Sequence, residues 1–234
     1  MKLQSRSIIL AGFLLVTLAW GSVEAGSKEV VKLEEATEVL TELMAIPEKG
    51  IPPYLLHNAY GVAVIPAVVK ASLVIGGRHG WGVLVVRDKD GVWSNPTFVS
   101  LTGGSIGYQI GAQSTDIILV FKSRKSIDGI IKGTFTLGAD AAIAAGAVGR
   151  QAETATDLEF KAEIYSYSKS RGLFAGVALE GAALQIDHTS NVAFYGREGI
   201  TPRDIFTSRD IAVPATATKF KKALEKYTVT AIKD

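Results

Sequence analysis

Residues 98–113 read FVSLTGGSIGYQIGAQ, and the interpretation of this stretch decides the fold class. It contains Gly103-Gly104-Ser105-Ile106-Gly107, a literal match to the G-x-S-x-G pattern of the nucleophile elbow in serine hydrolases. An elbow needs a helix directly after the serine, whereas Ser105 is followed by two more glycines, Gly107 and Gly111, and then by the strand-like run TDIILVF. The stretch therefore predicts a glycine-rich strand, and a serine hydrolase that uses Ser105 stays as a minor alternative.

On both sides of this stretch, from Tyr60 to about Gly196, short runs rich in Val, Ile, Phe and Tyr alternate with glycines and turn clusters, which is typical of strands. The candidate strands are GVAVIP, VVKASLVIGG, WGVLVVRD, TFVSL, SIGYQIGAQ, DIILVF, GTFTLGADAAIAAG, AEIYSYSKS, LFAGVALEGAALQID and VAFYG. Tight connections are predicted at 88–91 and 187–191, and a hairpin connection at 76–80. Connections this short favour antiparallel neighbours, and the recurrent glycines favour strongly curved or closely packed strands.

Helical patterns occur at the two ends of the chain and once in its middle. The predicted helices are Lys28 to Ile46, which Pro47 ends; Tyr54 to Ala59; Ser123 to about Lys132, with Ser123 or Ser126 as cap; a helix that starts at Thr201-Pro202-Arg203-Asp204; and Pro214 to Tyr227. The predicted fold class is α+β, with a curved, glycine-rich antiparallel β-sheet or barrel-like core and helices at the N- and C-terminal ends.

Residues 1–25 have the features of a signal peptide. Lys2 and Arg6 form a positive n-region, residues 8–20 an apolar h-region, and Val23-Glu24-Ala25 a small-residue cleavage site. The chain contains no cysteine, which excludes lipid attachment at the cleavage site, disulfides and thiolate metal sites. We expect an exported protein that is periplasmic or extracellular, for which peripheral membrane association is possible. Residues 26–234 are expected to form a single domain.

The other chemistry-bearing residues form no catalytic or cofactor-binding set. The three histidines, His57, His79 and His188, are isolated in the sequence, and neither an HExxH nor a P-loop pattern occurs. Asp116 and Asp140 stand beside turns, where single acids are typically satisfied structural groups. With a net charge of +2 at pH 7, the global charge does not indicate nucleic acid as a partner. We therefore predict a non-enzymatic protein without a cofactor or a metal.

Four blocks of the strand-rich region carry a more specific resemblance. They read YGVAVIPAVVKASLVIGGRHGWGVLVVRD, WSNPTFVSLTGGSIGYQIGAQSTDIILVF, FTLGADAAIAAGAVGR, and YSYSKSRGLFAGVALEGAALQID with NVAFYG. This ordered set closely resembles the SYLF domain family, a lipid-binding domain also found in yeast and animal actin-regulating proteins. The resemblance covers about 51–196, and residues 197–234 form a C-terminal helical extension. It implies a binding domain in which Ser105 has no hydrolase role.

The resemblance also implies binding to phosphoinositide-type or other anionic lipids. The candidate lipid-binding cations within the matching blocks are Lys70, Arg78, Arg150 and Arg171. A second set lies in the last predicted helix, where Lys219, Lys221, Lys222 and Lys226, all expected to be exposed, surround a face formed by Phe220, Leu224 and Tyr227. The alternative is that this apolar face packs on the core and the lysines form a solvated face.

The first predicted helix departs from the eukaryotic family members, in which an amphipathic N-terminal helix aids lipid binding. Between residues 28 and 46 two lysines stand against five glutamates, whereas an anionic membrane favours a basic polar face. The sequence leaves two alternatives for this helix: it contacts a membrane, or it packs on the sheet. Actin, which yeast members bind, is not an expected partner of an exported chain.

The leading hypothesis is an exported, non-enzymatic domain that associates with anionic lipid headgroups at an envelope membrane. The second hypothesis, from another class, is an envelope interaction module that binds a protein partner or assembles with itself.

Overall fold

The computed structural model describes residues 26–45, 50–147, 162–170 and 173–229, with only the backbone described at 72–75, 105–112 and 229. The predicted signal peptide at 1–25, the predicted helix end at Pro47 and two of the candidate cations, Arg150 and Arg171, lie outside the described residues. No helix in these ranges combines the length and the hydropathy needed to cross a membrane.

The predicted helices are all present, with bounds that differ from the prediction by one or two residues. The helices of the described ranges are α1 (Ser27–Met44), α2 (Pro53–His57), α3 (Arg124–Lys132), α4 (His188–Tyr195), α5 (Pro202–Thr207) and α6 (Ala215–Val229). Ser123 is the N-cap residue of α3, although its side chain makes no capping hydrogen bond. At α5 the predicted start is confirmed as a capping box, because Thr201 Oγ1 accepts from the Asp204 N–H and Asp204 Oδ2 accepts from the Thr201 N–H.

A curled, seven-stranded sheet forms the centre of the structure and confirms the predicted α+β class. Its strands are β1 (Gly61–Val86), β2 (Thr97–Phe121), β3 (Phe135–Thr136), β4 (Ile143–Ala145), β5 (Ile164–Ser170), β6 (Leu173–Gly176) and β7 (Ala183–Ile186). The order is β3-β7-β2-β5-β4, with β1 also paired to β2 and β6 also paired to β5. The pairs are antiparallel as predicted except β4 with β5, which is parallel; residues 146–163 supply the long connection that a parallel pair requires.

Six of the predicted strands are segments of two long strands. GVAVIP, VVKASLVIGG and WGVLVVRD belong to the single strand β1, and TFVSL, SIGYQIGAQ and DIILVF belong to β2. The predicted hairpin connection at 76–80 is therefore wrong: these residues pair with 101–105 of β2 in continuous register. The true turn lies at the other predicted site, where Asp88 Oδ1 accepts from the N–H groups of Asp90 and Val92 and Gly91 has a φ of +80°.

The curl of β1 depends on a bulge and on glycine. Pro66 and Ala67 stand opposite the single residue Asp116, and Asp116 Oδ1 accepts from the Ala67 N–H at 2.9 Å. Beyond this bend the strand returns alongside its own start, where the Arg87 N–H donates to the Tyr60 carbonyl at 2.9 Å. A Cβ at Gly82 would overlap the Val64 carbonyl oxygen, so only glycine allows this close approach.

Both faces of the curled sheet are buried, because consecutive strand residues point into different core clusters. The first core cluster contains Val62 and Val64 together with the apolar faces of α1, α2, α4 and α6. The second core cluster contains Ala63 and Ile65 and is covered by α3 and the β3–β7 region. Helix α1 thus packs on the sheet, which settles its predicted alternatives, with Leu33, Leu40 and Leu43 fully buried and Glu34, Glu38 and Glu42 exposed.

The predicted strand VAFYG and the predicted tight connection at 187–191 are wrong, because both lie in or at the start of helix α4. The Asp187 side chain caps the helix by accepting from the Ser190 N–H at 3.0 Å, and Gly196 ends it in the left-handed conformation. The buried Asn191 then anchors α4 to the sheet, since its Oδ1 accepts from the Phe98 N–H at 2.9 Å. These contacts outweigh the strand preference of a short aromatic run.

The close approach at Gly82 predicts a large cost for a single methyl group. Gly82→Ala is expected to lower the free energy of unfolding by about 2 kcal/mol or more, since the new Cβ would meet backbone that cannot rotate away. Gly104→Ala in β2 is the matched control, because no atom lies within 4 Å of its added Cβ. Urea unfolding of the two variants tests the curl; equal stabilities would contradict it.

Candidate anion-binding site

Two of the predicted cations, Lys70 and Arg78, line one pocket at the curled sheet. The pocket has a volume of about 270 Å³ and lies between β1, β2, β5 and the segment after β6. Its lining residues are Val68, Lys70, Arg78, Gln113, Thr115, Ile117, Ser168, Ser170, Val177 and Ala178. Lys70 comes from the first half of β1 and Arg78 from the second half, so it is the curl that brings the two cations to one site. We call this site the Lys70–Arg78 pocket.

The Arg78 guanidinium is held at the wall of the pocket and keeps donor capacity. Its Nη1 donates to the Ala178 carbonyl at 3.3 Å. Its Nε is shielded from water, and no acceptor among the described residues lies within hydrogen-bonding distance of it. A guanidinium N–H in this situation favours an anionic acceptor, because charged hydrogen bonds are stronger than neutral ones.

Neutral polar side chains complete the wall of the pocket. Gln113 is the cross-strand partner of Lys70, and its Nε2 donates to Ser170 Oγ at 3.0 Å. The Ser168 hydroxyl donates to the Ala175 carbonyl at 3.3 Å. No local sequence pattern indicates these side chains, because their proximity to Lys70 depends on the register between β1, β2 and β5.

The pocket is positively charged, since its lining includes two cations and no Asp or Glu. The nearby carboxylate of Asp116 accepts from the Ala67 N–H and does not line the pocket. Lys169, the neighbour of two lining residues on β5, forms an ion pair with Glu42 of α1. The local field therefore favours an anion although the whole chain is almost neutral.

The second predicted set of cations, on α6, is only partly as expected. Lys219, Lys222 and Lys226 are exposed, but the expectation for Lys221 is wrong: it is half-buried, and its Nζ donates to Asn95 Oδ1 at 2.9 Å. The apolar side of α6 faces the core, with Phe220 and Leu224 fully buried. The helix therefore presents a solvated charged face, which was the alternative interpretation, and no apolar face of Phe220 and Leu224 is left for a membrane.

The hydrolase alternative is not supported by the fold around Ser105. The residue lies in the middle of β2, opposite Gly76 of β1, and the strand continues to Phe121. A nucleophile elbow requires a strand-to-helix turn at the serine, and no such turn occurs here.

The expected structural roles of the two single acids are confirmed. Asp116 accepts from the Ala67 N–H, and Asp140 Oδ2 accepts from the Thr136 N–H at 2.7 Å. In the part of the chain that the structure describes, no group of three or more His, Cys, Asp or Glu residues could hold a metal ion.

Comparison with known proteins agrees with this architecture. The family model described as "Ysc84: Las17-binding protein actin regulator" matches residues 102–227, which run from β2 to α6. The curled α+β sheet, its helices and this match define a domain of the Ysc84, or SYLF, class. The chain therefore belongs to the Ysc84 family, and the predicted resemblance is confirmed.

Similar proteins come from fungi and animals. The chain is 38% identical over 181 residues to Protein YSC84 of Saccharomyces cerevisiae, a match that covers 76% of this chain and 38% of that protein. It is 32% identical over 200 residues to SH3 domain-containing YSC84-like protein 1 of Xenopus laevis, covering 83% of this chain and 59% of that protein. The chain thus spans about 38% to 59% of the length of these relatives, and neither name describes an enzyme.

We expect no covalent labelling of Ser105 by a serine-directed fluorophosphonate probe and no esterase turnover, because a mid-strand serine lacks the helix that follows an elbow nucleophile. Mass spectrometry of the treated protein measures this. Stoichiometric labelling that is lost in Ser105→Ala would restore the hydrolase interpretation.

Proposed function

We propose that the protein binds anionic lipid headgroups at a membrane surface through the Lys70–Arg78 pocket. One observation carries the proposal: two cations and several neutral polar side chains line a concave site that no Asp or Glu lines. A phosphate group suits such a site, because it accepts charged hydrogen bonds from a lysine and an arginine at once. A volume of about 270 Å³ fits a headgroup-sized anion rather than a whole lipid.

An exposed apolar side chain on the same face of the sheet supports peripheral contact with a bilayer. Leu173, at the start of β6, is 77% exposed. A row of contacts links Leu173 to Lys70: Lys70 pairs with Gln113, Gln113 bonds to Ser170, and Ser170 pairs with Leu173. Apolar side chains beside a cationic site are the combination that interfacial membrane binding uses.

Family membership supports a lipid ligand, since the SYLF resemblance implies anionic lipid binding. The predicted signal peptide at 1–25 adds that the membrane is one of the cell envelope. Actin regulation, which the family description names, is not proposed for this chain, because the predicted export would separate the protein from actin. Arg150 and Arg171, which lie outside the described residues, stay candidate cations from the sequence, and Arg171 directly follows the lining residue Ser170 in the chain.

Removal of the two pocket cations is expected to weaken binding to anionic vesicles. Each cation near an anionic surface contributes about 1 kcal/mol, so Lys70→Gln with Arg78→Gln should raise the apparent Kd roughly 30-fold. Co-sedimentation with phosphatidylserine-containing and purely phosphatidylcholine vesicles measures this. The effect should diminish as salt rises, since the Debye length falls from about 30 Å at 0.01 M to about 8 Å at physiological ionic strength.

The matched control for this experiment is Lys219→Gln with Lys222→Gln, which removes the same charge from the exposed face of α6. We expect the control to bind nearly as the wild type does. A larger loss in the α6 variant than in the pocket variant would move the membrane contact to the four predicted lysines of that helix and contradict the pocket.

Leu173 is expected to insert into the bilayer interface. Leu173→Ser should weaken binding to anionic vesicles by about 1 kcal/mol, a part of the gain for full burial of a leucine, without a change in unfolding midpoint. Val31→Ser, at a 51% exposed position of α1, is the matched control. Identical vesicle binding of the two variants would exclude insertion at β6.

A protein partner is the second candidate function. It is favoured by the family description, which names Las17 binding, and by Trp81, whose ring is 50% exposed and packs edge-on against His79. If the wild type binds neither neutral nor anionic vesicles at low salt, the lipid function is excluded and the protein-partner function takes its place. Analytical ultracentrifugation then tests assembly of the protein with itself.

A further inference from the structure

A second pocket lies at the place where β1 ends. It has a volume of about 370 Å³ and is enclosed by the end of β1, the first turns of α3, and α5. Its charged lining residues are Arg87, Asp88, Lys89, Arg124, Asp128 and Arg203. None of these cations was singled out by the sequence, because they come from three elements that only the fold brings together. We call this site the Arg87–Arg203 pocket.

Arg87 is fixed in one orientation at this pocket. Its guanidinium carbon lies 4.5 Å from the centre of the Trp93 ring, and its Nη1 donates to the His57 carbonyl. Its Nε is shielded from water and finds no acceptor among the described residues. An arginine that is already ordered loses little conformational entropy when it binds an anion.

Arg124 and Arg203 contribute two exposed cations to the same pocket. Both side chains are exposed, and neither forms an ion pair within the described ranges. Of the two acids in the lining, Asp88 is already engaged, since it pairs with Arg209 at 3.1 Å and accepts two backbone N–H groups. Asp128 is exposed on α3. Four cations against two acids leave the pocket positive.

The remaining wall of the pocket is apolar. Ile127 and Ile131 of α3 face Phe206 of α5 across the cavity, beside Val86 at the end of β1. A ligand that fits both parts of this wall carries an anionic group at one end and a short apolar group at the other. Inorganic anions satisfy only the first requirement.

We propose that the Arg87–Arg203 pocket binds a phosphate ester that carries a short apolar group. Arg87, Arg124 and Arg203 hold the phosphate, and the isoleucines with Phe206 contact the apolar part. Such an ester can be a soluble metabolite or the exposed end of a membrane phospholipid, and the two sources share the same recognition chemistry. The inference does not rest on the lipid-binding function of the Lys70–Arg78 pocket, because the two sites share no residue.

Isothermal titration with hexyl phosphate, inorganic phosphate and hexan-1-ol tests the proposal. We expect hexyl phosphate to bind most tightly and inorganic phosphate to bind with an affinity at least about tenfold lower. Hexan-1-ol should not bind measurably. Equal affinities for the two phosphates would overturn the apolar part of the proposal, and no binding of either phosphate would overturn the site.

The decisive variant is Arg124→Gln with Arg203→Gln, since both side chains are exposed and their replacement leaves the core intact. It should weaken hexyl phosphate binding by at least about tenfold. The matched control is Lys125→Gln with Lys132→Gln, which removes two exposed cations of α3 that do not line the pocket. An unchanged affinity in the arginine variant, or an equal loss in the lysine variant, would overturn the proposal. Arg87 is kept because it packs on Trp93.

A vesicle arm separates the two sources of the phosphate. Vesicles that contain phosphatidic acid are sedimented with the wild type, the Arg124–Arg203 variant and the Lys70–Arg78 variant. A loss of both hexyl phosphate and vesicle binding in the arginine variant assigns the pocket to a membrane lipid, and a loss of hexyl phosphate binding alone assigns it to a soluble ester. The Lys70–Arg78 variant should keep its hexyl phosphate affinity, so failure of one site does not imply failure of the other.

Discussion

The start and the end of β1 lie side by side, and most of the architecture depends on this backbone contact. It needs a strand residue without a side chain at Gly82 and a bend at Pro66-Ala67, which the Asp116 carboxylate holds through the Ala67 N–H. Because β2 pairs with β1 along most of its length, with two register shifts, it is curled in the same way and pairs with β5 and β7 at separate segments. Both pockets result from this geometry, one between β1, β2 and β5 and one where β1 ends.

Burial of both sheet faces leaves few apolar surfaces for binding. The apolar sides of α1 and α6 are used by the first core cluster, and that of α3 by the second. Neither terminal helix therefore offers the apolar stripe that an interfacial helix inserts into a bilayer. Recognition is then left to the concave and peripheral parts of the sheet, where cations and exposed apolar residues such as Leu173 remain available.

The cations of this protein differ in how far the fold orders them. Arg78 is tied to the Ala178 carbonyl and Arg87 to Trp93 and His57, whereas Lys219 and Lys222 extend into solvent from α6. An ordered guanidinium offers fixed donors to a phosphate, while a solvated ammonium offers mainly diffuse attraction. This distinction favours the two arginine-containing pockets as sites of recognition and the lysine face as a source of general attraction.

Local signals in the sequence determined five of the six described helices, the α+β class and the family, because caps, prolines and periodicity act between residues close in the chain. The exception is α4, whose short aromatic run has a strand preference. Thr201 and Asp204 cap α5 as their spacing predicts, and the turn at 88–91 forms where its Asp and Gly indicate. Only the tertiary structure showed that six predicted strands are segments of two. Glycines at 76–80 are compatible with a turn and with a curled strand, and only the long-range pairing with β2 selects the strand. The same holds for the site. Lys70 and Arg78 were predicted as separate cations, and strand register brings them together with Gln113 and Ser168. Helix packing brings Arg87, Arg124 and Arg203 to the second pocket. No local pattern encodes either arrangement.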